Sequence, residues 1–343
     1  MPKKKINKII IWLLVPVLLL VATEIILQAC FPLTVSKPVA LSPHKTYKFI
    51  NTDSRLDKNV IHTRNFYGLR GDEPDTSLIA IVAVGGAGTE CRFINDGKDW
   101  PSRLSALINS GSRKVWLGNA GISGAGIDEC YHLTTTTIAE LHPEYLLVMS
   151  GMEDLEASEE KQEKHNKSIM QKLILPTVIS RETKKIKNAS LINTARLLIL
   201  PGADTLYMSD AAILTRLNKE EKSLVNYKKN LEKLLDYCVK NKIKPILISQ
   251  ATLFGDETDP VSGSYLGNLK IDKDVNGKCY AILLKQYNKI KFEAASKYDC
   301  TFINLSARMP KDSRYFYDGL NYTNEGCIMV ADIIYDEMNG IIK

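Results

Sequence analysis

Four short clusters hold the residue types that could do chemistry in this chain. Three contain glycine and follow apolar runs: Gly85-Gly86-Ala87-Gly88-Thr89-Glu90, Asn119-Ala120-Gly121-Ile122-Ser123-Gly124 and Gly151-Met152-Glu153-Asp154. The fourth is Asp318-Gly319-Leu320-Asn321. Glu153, Asp154 and Asp318 are carboxylates, and carboxylates brought together serve acid–base glycoside chemistry or hold a divalent cation. The simpler alternative is that Asp154 caps the helix after its strand and Glu153 pairs with a basic group. Thr89, Cys91 and Ser123 are nucleophile types, but none has an evident base. All five histidines (His44, His62, His132, His142 and His165) precede residue 166. The seven cysteines are widely spaced and form no CxxC pair, which fits buried thiols better than a metal site or a disulfide framework.

Strands and helices must alternate to place these clusters. Leu78–Val84 is a continuous apolar run and reads as a buried parallel strand. Val115–Leu117, Tyr145–Met149, Pro245–Ser249 and Thr301–Asn304 read as further strands. Helices are expected at Trp100–Ile108, with Pro101 in the first turn, at Ile127–Leu141, at Tyr280–Tyr298 and from Glu325 to about Met338. Leu224, Leu231, Leu234, Leu235 and Cys238 mark another amphipathic helix. Glu156–Lys172 is highly charged and reads as a solvated helix, and residues 156–215 read as an insertion or cap. This alternation predicts an α/β fold, a flavodoxin-like doubly wound sheet of five parallel strands. In such sheets ligands bind at the carboxyl ends of the strands, where three of the clusters fall. Gly86, Gly88, Thr89, Ser123 and Asp154 are therefore the candidate ligand-binding residues. A glycine after a strand can also merely permit a tight turn.

The clusters resemble the sequence blocks of the SGNH/GDSL hydrolases. Gly85–Glu90 is similar to the first block in the GGSTTE form of membrane-anchored bacterial members, and Asn119–Gly124 to the second. Gly151–Asp154 is similar to the third block, usually GxND, and Asp318–Asn321 to the final DxxH block. Gly68-Leu69-Arg70-Gly71, Trp100-Pro101, Gln250 and Tyr315-Phe316-Tyr317-Asp318 add lesser matches, so the resemblance spans roughly residues 66–338. It implies the SGNH hydrolase fold and acyl transfer to a serine, with no cofactor and no metal. A histidine oriented by an aspartate takes the serine proton, and an oxyanion hole holds the developing charge. Carried onto this chain, the catalytic positions are Ala87, Gly124, Glu153, Asp318 and Asn321. Ala87 has no hydroxyl, Asn321 offers no basic nitrogen, and Glu153 puts a carboxylate where a donor belongs. Only Gly124 and Asp318 match.

The sequence therefore predicts a non-catalytic relative, or pseudoenzyme, that binds an acyl-glycan-like ligand or docks a membrane partner. The resemblance points to surface polysaccharide modification beside a membrane-bound O-acyltransferase or another envelope protein. Two alternatives stay open. One is an active esterase or O-acyltransferase whose native residue 87 is serine; the other is a carboxylate-based enzyme or cation site using Glu153, Asp154 and Asp318. A net charge of +6 on a chain rich in both signs gives no footprint for nucleic acid. Lys3, Lys4, Lys5 and Lys8 precede an apolar run, Ile9–Ala22, that resumes from Ile25 to Phe31. Residues 1–31 thus read as cytoplasmic lysines and a transmembrane signal-anchor helix, with the remainder on the extracytoplasmic face of the cell membrane. A cleaved signal peptide fits less well, and a lipoprotein signal at Leu27-Gln28-Ala29-Cys30 less well still. Residues 32–76 read as a proline-bearing connector, and 77–343 as the hydrolase-like domain.

Overall fold

A computed structural model describes residues 41–156, 195, 197–338 and 340–342. The apolar run after Ser77 forms a strand, Ile79–Gly85, and this strand organises the molecule. It is β3 in chain order, after a hairpin of β1 (Thr46–Ile50) and β2 (Asn59–Thr63). Beside it lie β4 (Val115–Asn119), β5 (Tyr145–Met149), β6 (Lys244–Ile248) and β9 (Thr301–Ile303). All five pair in parallel, in the order β4-β3-β5-β6-β9. Numbered among themselves this is 2-1-3-4-5, the flavodoxin-like order, and the strand order reverses between β3 and β5. The five-stranded parallel sheet predicted from the sequence is thus present, with Tyr145–Met149 as predicted and the other strand bounds within two residues of those observed. A two-stranded ribbon, β7 (Lys270–Asp272) with β8 (Val275–Asn276), lies outside the sheet.

Helices cover the strands. They are α1 (Ala87–Glu90), α2 (Trp100–Ser110), α3 (Ile127–Thr135), α4 (Asp210–Lys240), α5 (Gly277–Lys297), α6 (Leu305–Arg308) and α7 (Asn324–Met338). Residues 152–156 are also helical. The central strands are buried on both faces: Ile81, Val82, Val84, Leu146, Leu147 and Val148 are fully enclosed. Each such side chain contributes about 1.5–3 kcal/mol on burial. Asp99 starts α2, its carboxylate accepting from the Ser102 amide and hydroxyl, and Pro101 stands in the first turn where its missing N–H costs nothing.

Three expectations are corrected. The amphipathic helix read from Leu224 begins at Asp210, capped by Ser209. Its first half buries Arg216 and Glu220, which pair at 2.9 Å, and this polar pair interrupts the apolar period that sequence reading follows. The helix read as Ile127–Leu141 stops at Thr135, with a separate tight turn at Ala139–Leu141. There the Thr134 and Thr136 hydroxyls donate to the Cys130 and His132 carbonyls, each at 2.7 Å, a back-bonding that favours a bend. Within the stretch read as a connector, β1 and β2 form a hairpin whose strands bury only Phe49, Val60 and His62, too few to leave a periodic signal. The signal-anchor run at 1–31 and most of the 156–215 insertion lie outside the described residues. Among the described residues no helix is long and apolar enough to cross a membrane.

Candidate active site

The site is built at the strand-order switch, where the β3 and β5 ends lie side by side with Gly85 opposite Met149. The chain turns at Gly86 into the one-turn helix α1, so the Ala87 amide points out of the helix start. After β5 the chain turns at Gly151, whose φ of +123° suits glycine, and a helical turn begins at Met152. That turn delivers Glu153 directly onto Gly86 and Ala87. The Ala87 N–H donates to Glu153 Oε1. A methyl group on Gly86 would lie 1.5 Å from the same oxygen, so glycine is required for the carboxyl to sit there. Glu153 is 5% exposed, and its Oε2 has no hydrogen-bond partner among the described residues. Burial, and then repulsion from Glu156, push its pKa up to about 8. The plain consequence is a neutral carboxylic acid lodged on the amide of residue 87.

Asp154, the neighbouring carboxylate, faces elsewhere. Its oxygens accept from the Ile127 amide at 3.0 and 3.2 Å, capping the start of α3. Sequence reasoning had Asp154 capping its own helix and Glu153 meeting a base; both partners are corrected. Burial raises Asp154 to about 6 despite that amide. Asp318 and Asn321 are brought together: the Asn321 side chain donates to Asp318 Oδ2 at 2.8 Å, and the Leu320 and Asn321 amides donate to Oδ1. Burial raises the Asp318 pKa over the opposing pull of these hydrogen bonds. Tyr322, the next residue, reaches the first cluster, because an added Cβ on Gly88 would meet its ring at 3.7 Å. Gly124 has φ +84° and open space around it. Among the described residues no three His, Cys, Asp or Glu side chains gather as metal ligands would, so the three carboxylates do not form one cation site.

The three possible substitute nucleophiles are each buried or hydrogen-bonded within the fold. The Ser123 hydroxyl donates to Glu90 Oε2. Burial would lift the Glu90 carboxyl, but Arg92 and Arg64, with the Ser123 hydrogen bonds, hold it below its ordinary value, so it is a poor base. Thr89 is fully buried against Gly85. Cys91 is a buried thiol 3.8 Å from that of Cys327, and burial keeps it protonated.

The contacts of several residues that hold the site escaped sequence reasoning. Buried Arg64 and Arg70, just after β2, donate around the first two clusters: Arg64 to Glu90 Oε1 at 2.8 Å and to the Gly121 carbonyl at 3.2 Å, Arg70 to the Cys91 carbonyl at 2.7 Å. Lys291 is fully buried beneath β5 and β6, donating to the Ser150 and Ile248 carbonyls at 2.7 and 2.8 Å. Burial lowers it to about 7, against the attraction of Asp154 and Glu153. Its signal was legible: it falls four residues after buried Tyr287 and seven after buried Leu284, on the apolar face of α5. Gln250, noted as a lesser match, accepts the Met152 amide and so fixes the turn that carries Glu153. Gly121 passes so close to α1 that an added Cβ would sit 2.3 Å from the Glu90 amide nitrogen. Gly121→Ala is therefore expected to cost roughly 1–3 kcal/mol or more, because backbone rather than a side-chain tip must move; urea denaturation of the two proteins measures it.

No family model matches this chain, and no curated protein does. Solved structures with similar folds include the acetylxylan esterase Axe2 from Geobacillus stearothermophilus, at TM-score 0.45 and 13% identity over 76% of this chain and 93% of that one. A catalytic mutant of the same esterase gives TM-score 0.46 and 14% identity over the same shares. The protein TesA gives TM-score 0.41 and 10% identity, covering 77% of this chain and 99% of that one. All three scores lie below 0.5.

Proposed function

We propose that this chain carries an SGNH/GDSL hydrolase-like domain that no longer cleaves esters and works by binding. The supporting observation is the Glu153 carboxyl on the Ala87 amide. Ester hydrolysis at this position needs a nucleophilic oxygen on residue 87 and free amides to receive an oxyanion. Here residue 87 has no side-chain oxygen, and its amide is already taken by the protein's own carboxyl. The pairing of Asn321 with Asp318 keeps the shape of a base dyad without a base. The ligand class that fits the sequence resemblance is an acyl-bearing glycan or a membrane partner in surface polysaccharide modification, a membrane-bound O-acyltransferase among them. The lysine-flanked apolar segment at 1–31 would anchor the domain at the extracytoplasmic face.

Incubating the full chain with short-chain p-nitrophenyl esters tests the central part. The expected result is release of p-nitrophenol at the buffer rate. A clear enzymatic rate that Thr89→Ala or Ser123→Ala abolishes would overturn the proposal, because a substitute nucleophile would then be at work.

A further inference from the structure

Beside the switch point, the carboxyl ends of β6 and β9 and one face of α5 enclose a cleft of about 730 Å³. Lys278, Ile282, Lys285, Lys289 and Phe292 line one wall, at spacings that put them all on a single face of the helix. From Lys278 to Phe292 this wall runs about 21 Å at 1.5 Å per residue. Thr252, Asp256, Glu257, Asn304 and Ser306 line the other side. Lys278 is held by Asp256 at 3.1 Å, and Lys289 lies 3.8 Å from Glu293. Lys285, between them, is exposed and makes no ion pair among the described residues. At the far end Phe292 is 55% exposed, its ring edge-on to Phe302 with centroids 5.4 Å apart.

We propose that this cleft binds an acidic oligosaccharide, a chain of sugars bearing uronic carboxylates. Three features together select that class. Lysines spread along one wall meet charges repeated along a polymer better than they meet one compact anion. An exposed ring fixed by a second ring offers a flat apolar platform for the C–H face of a sugar. The opposing carboxylates, amides and hydroxyls accept and donate to sugar hydroxyls. The inference goes beyond the reading of the Ala87 site, since none of these contacts uses Ala87 or Glu153.

Calorimetric titration of the full chain with an oligogalacturonate, a neutral oligosaccharide of equal length and a single-stranded oligodeoxynucleotide tests it. The acidic sugar is expected to bind at least about tenfold tighter than the neutral one, and to weaken as salt rises. Lys285→Ala with Lys289→Ala should weaken it about tenfold, while Lys285→Arg with Lys289→Arg should keep it within about threefold, on the usual scale for exposed ion pairs. Both lysines are exposed, so the fold should survive either change. Phe292→Ala should weaken acidic and neutral sugars alike. Equal binding of the two sugars, tighter binding of the oligodeoxynucleotide, no binding of the acidic sugar at millimolar concentration, or indifference to the double alanine variant would each overturn the proposal. Any of these outcomes leaves the reading of the Ala87 site standing, because that reading is judged by ester turnover.

Discussion

Ala87→Ser alone is expected to leave p-nitrophenyl acetate unhydrolysed, whereas Ala87→Ser with Glu153→Asn and Asn321→His should raise the rate by about 10²–10⁴-fold over the single variant. A hydroxyl at residue 87 meets two obstacles in the native site. The amide that should receive the oxyanion is bonded to Glu153 Oε1, and no base replaces Asn321. Removing one oxyanion donor costs about 10²–10³ in rate, and a positioned general base contributes about 10²–10⁴. These effects are not additive when the groups act as a unit, so the range of a single effect rather than their product is the fair expectation. Glu153→Asn shortens the side chain by one methylene, withdraws the carboxyl from the amide and supplies an N–H donor. Asn321→His places an imidazole beside Asp318, whose Oδ1 is already fixed by the Leu320 and Asn321 amides and whose Oδ2 already accepts from residue 321. Turnover by the single variant would show that Glu153 and Asn321 are no obstacle, and the non-catalytic reading would fall. A folded triple variant with no gain would show that more than these three positions has been lost.

The parts of this arrangement that were legible in the sequence are those set by local chemistry. The apolar run before Gly85 and the glycines after it gave the strand and turn, because a doubly buried strand needs side chains apolar on both faces. Asp318 and Asn321 were legible as a pair only through the resemblance to the DxxH block, and the structure joins them by a side-chain hydrogen bond. Contacts between distant segments were not legible. Nothing in the spacing of residues 87 and 153 says that the carboxyl bends onto the amide rather than toward a base. That geometry follows from β3 lying beside β5 and from Gly86 leaving room for it. Arg64 and Arg70 were hidden for a related reason. They flank the turn that follows β2, and several of their partners are backbone carbonyls, which no side-chain pattern reports.

The fold should lose stability as pH rises through the neutral range, and Glu153→Gln should remove a large part of that loss. The Glu153 carboxyl is raised from 4.5 to about 8, so the folded chain holds this proton more tightly than the unfolded chain does. Below the unfolded pKa both states are protonated and the group costs nothing. Between pH 4.5 and 8 the unfolded state ionises first, and the cost of keeping Glu153 neutral in the fold grows with pH. Above that window the cost is complete, about 5 kcal/mol at roughly 1.4 kcal/mol per pH unit. Asp154, raised from 3.8 to about 6, adds a decline of the same sign at lower pH. Lys291, lowered from 10.5 to about 7, acts oppositely: its cost is present below pH 7 and is relieved as pH climbs toward 10.5. Glutamine cannot ionise and keeps an oxygen for the Ala87 amide, so comparing the two proteins isolates Glu153. Urea denaturation across pH 5–9 should find them within about 1 kcal/mol at the acid end and the variant ahead by about 3–5 kcal/mol at pH 8.5. Parallel curves would mean that Glu153 ionises in place, and the neutral plug on the Ala87 amide would have to be abandoned. Diverging curves would place the proton on a carboxyl whose Oε2 lacks a partner, where a bound hydrogen costs less than a buried charge.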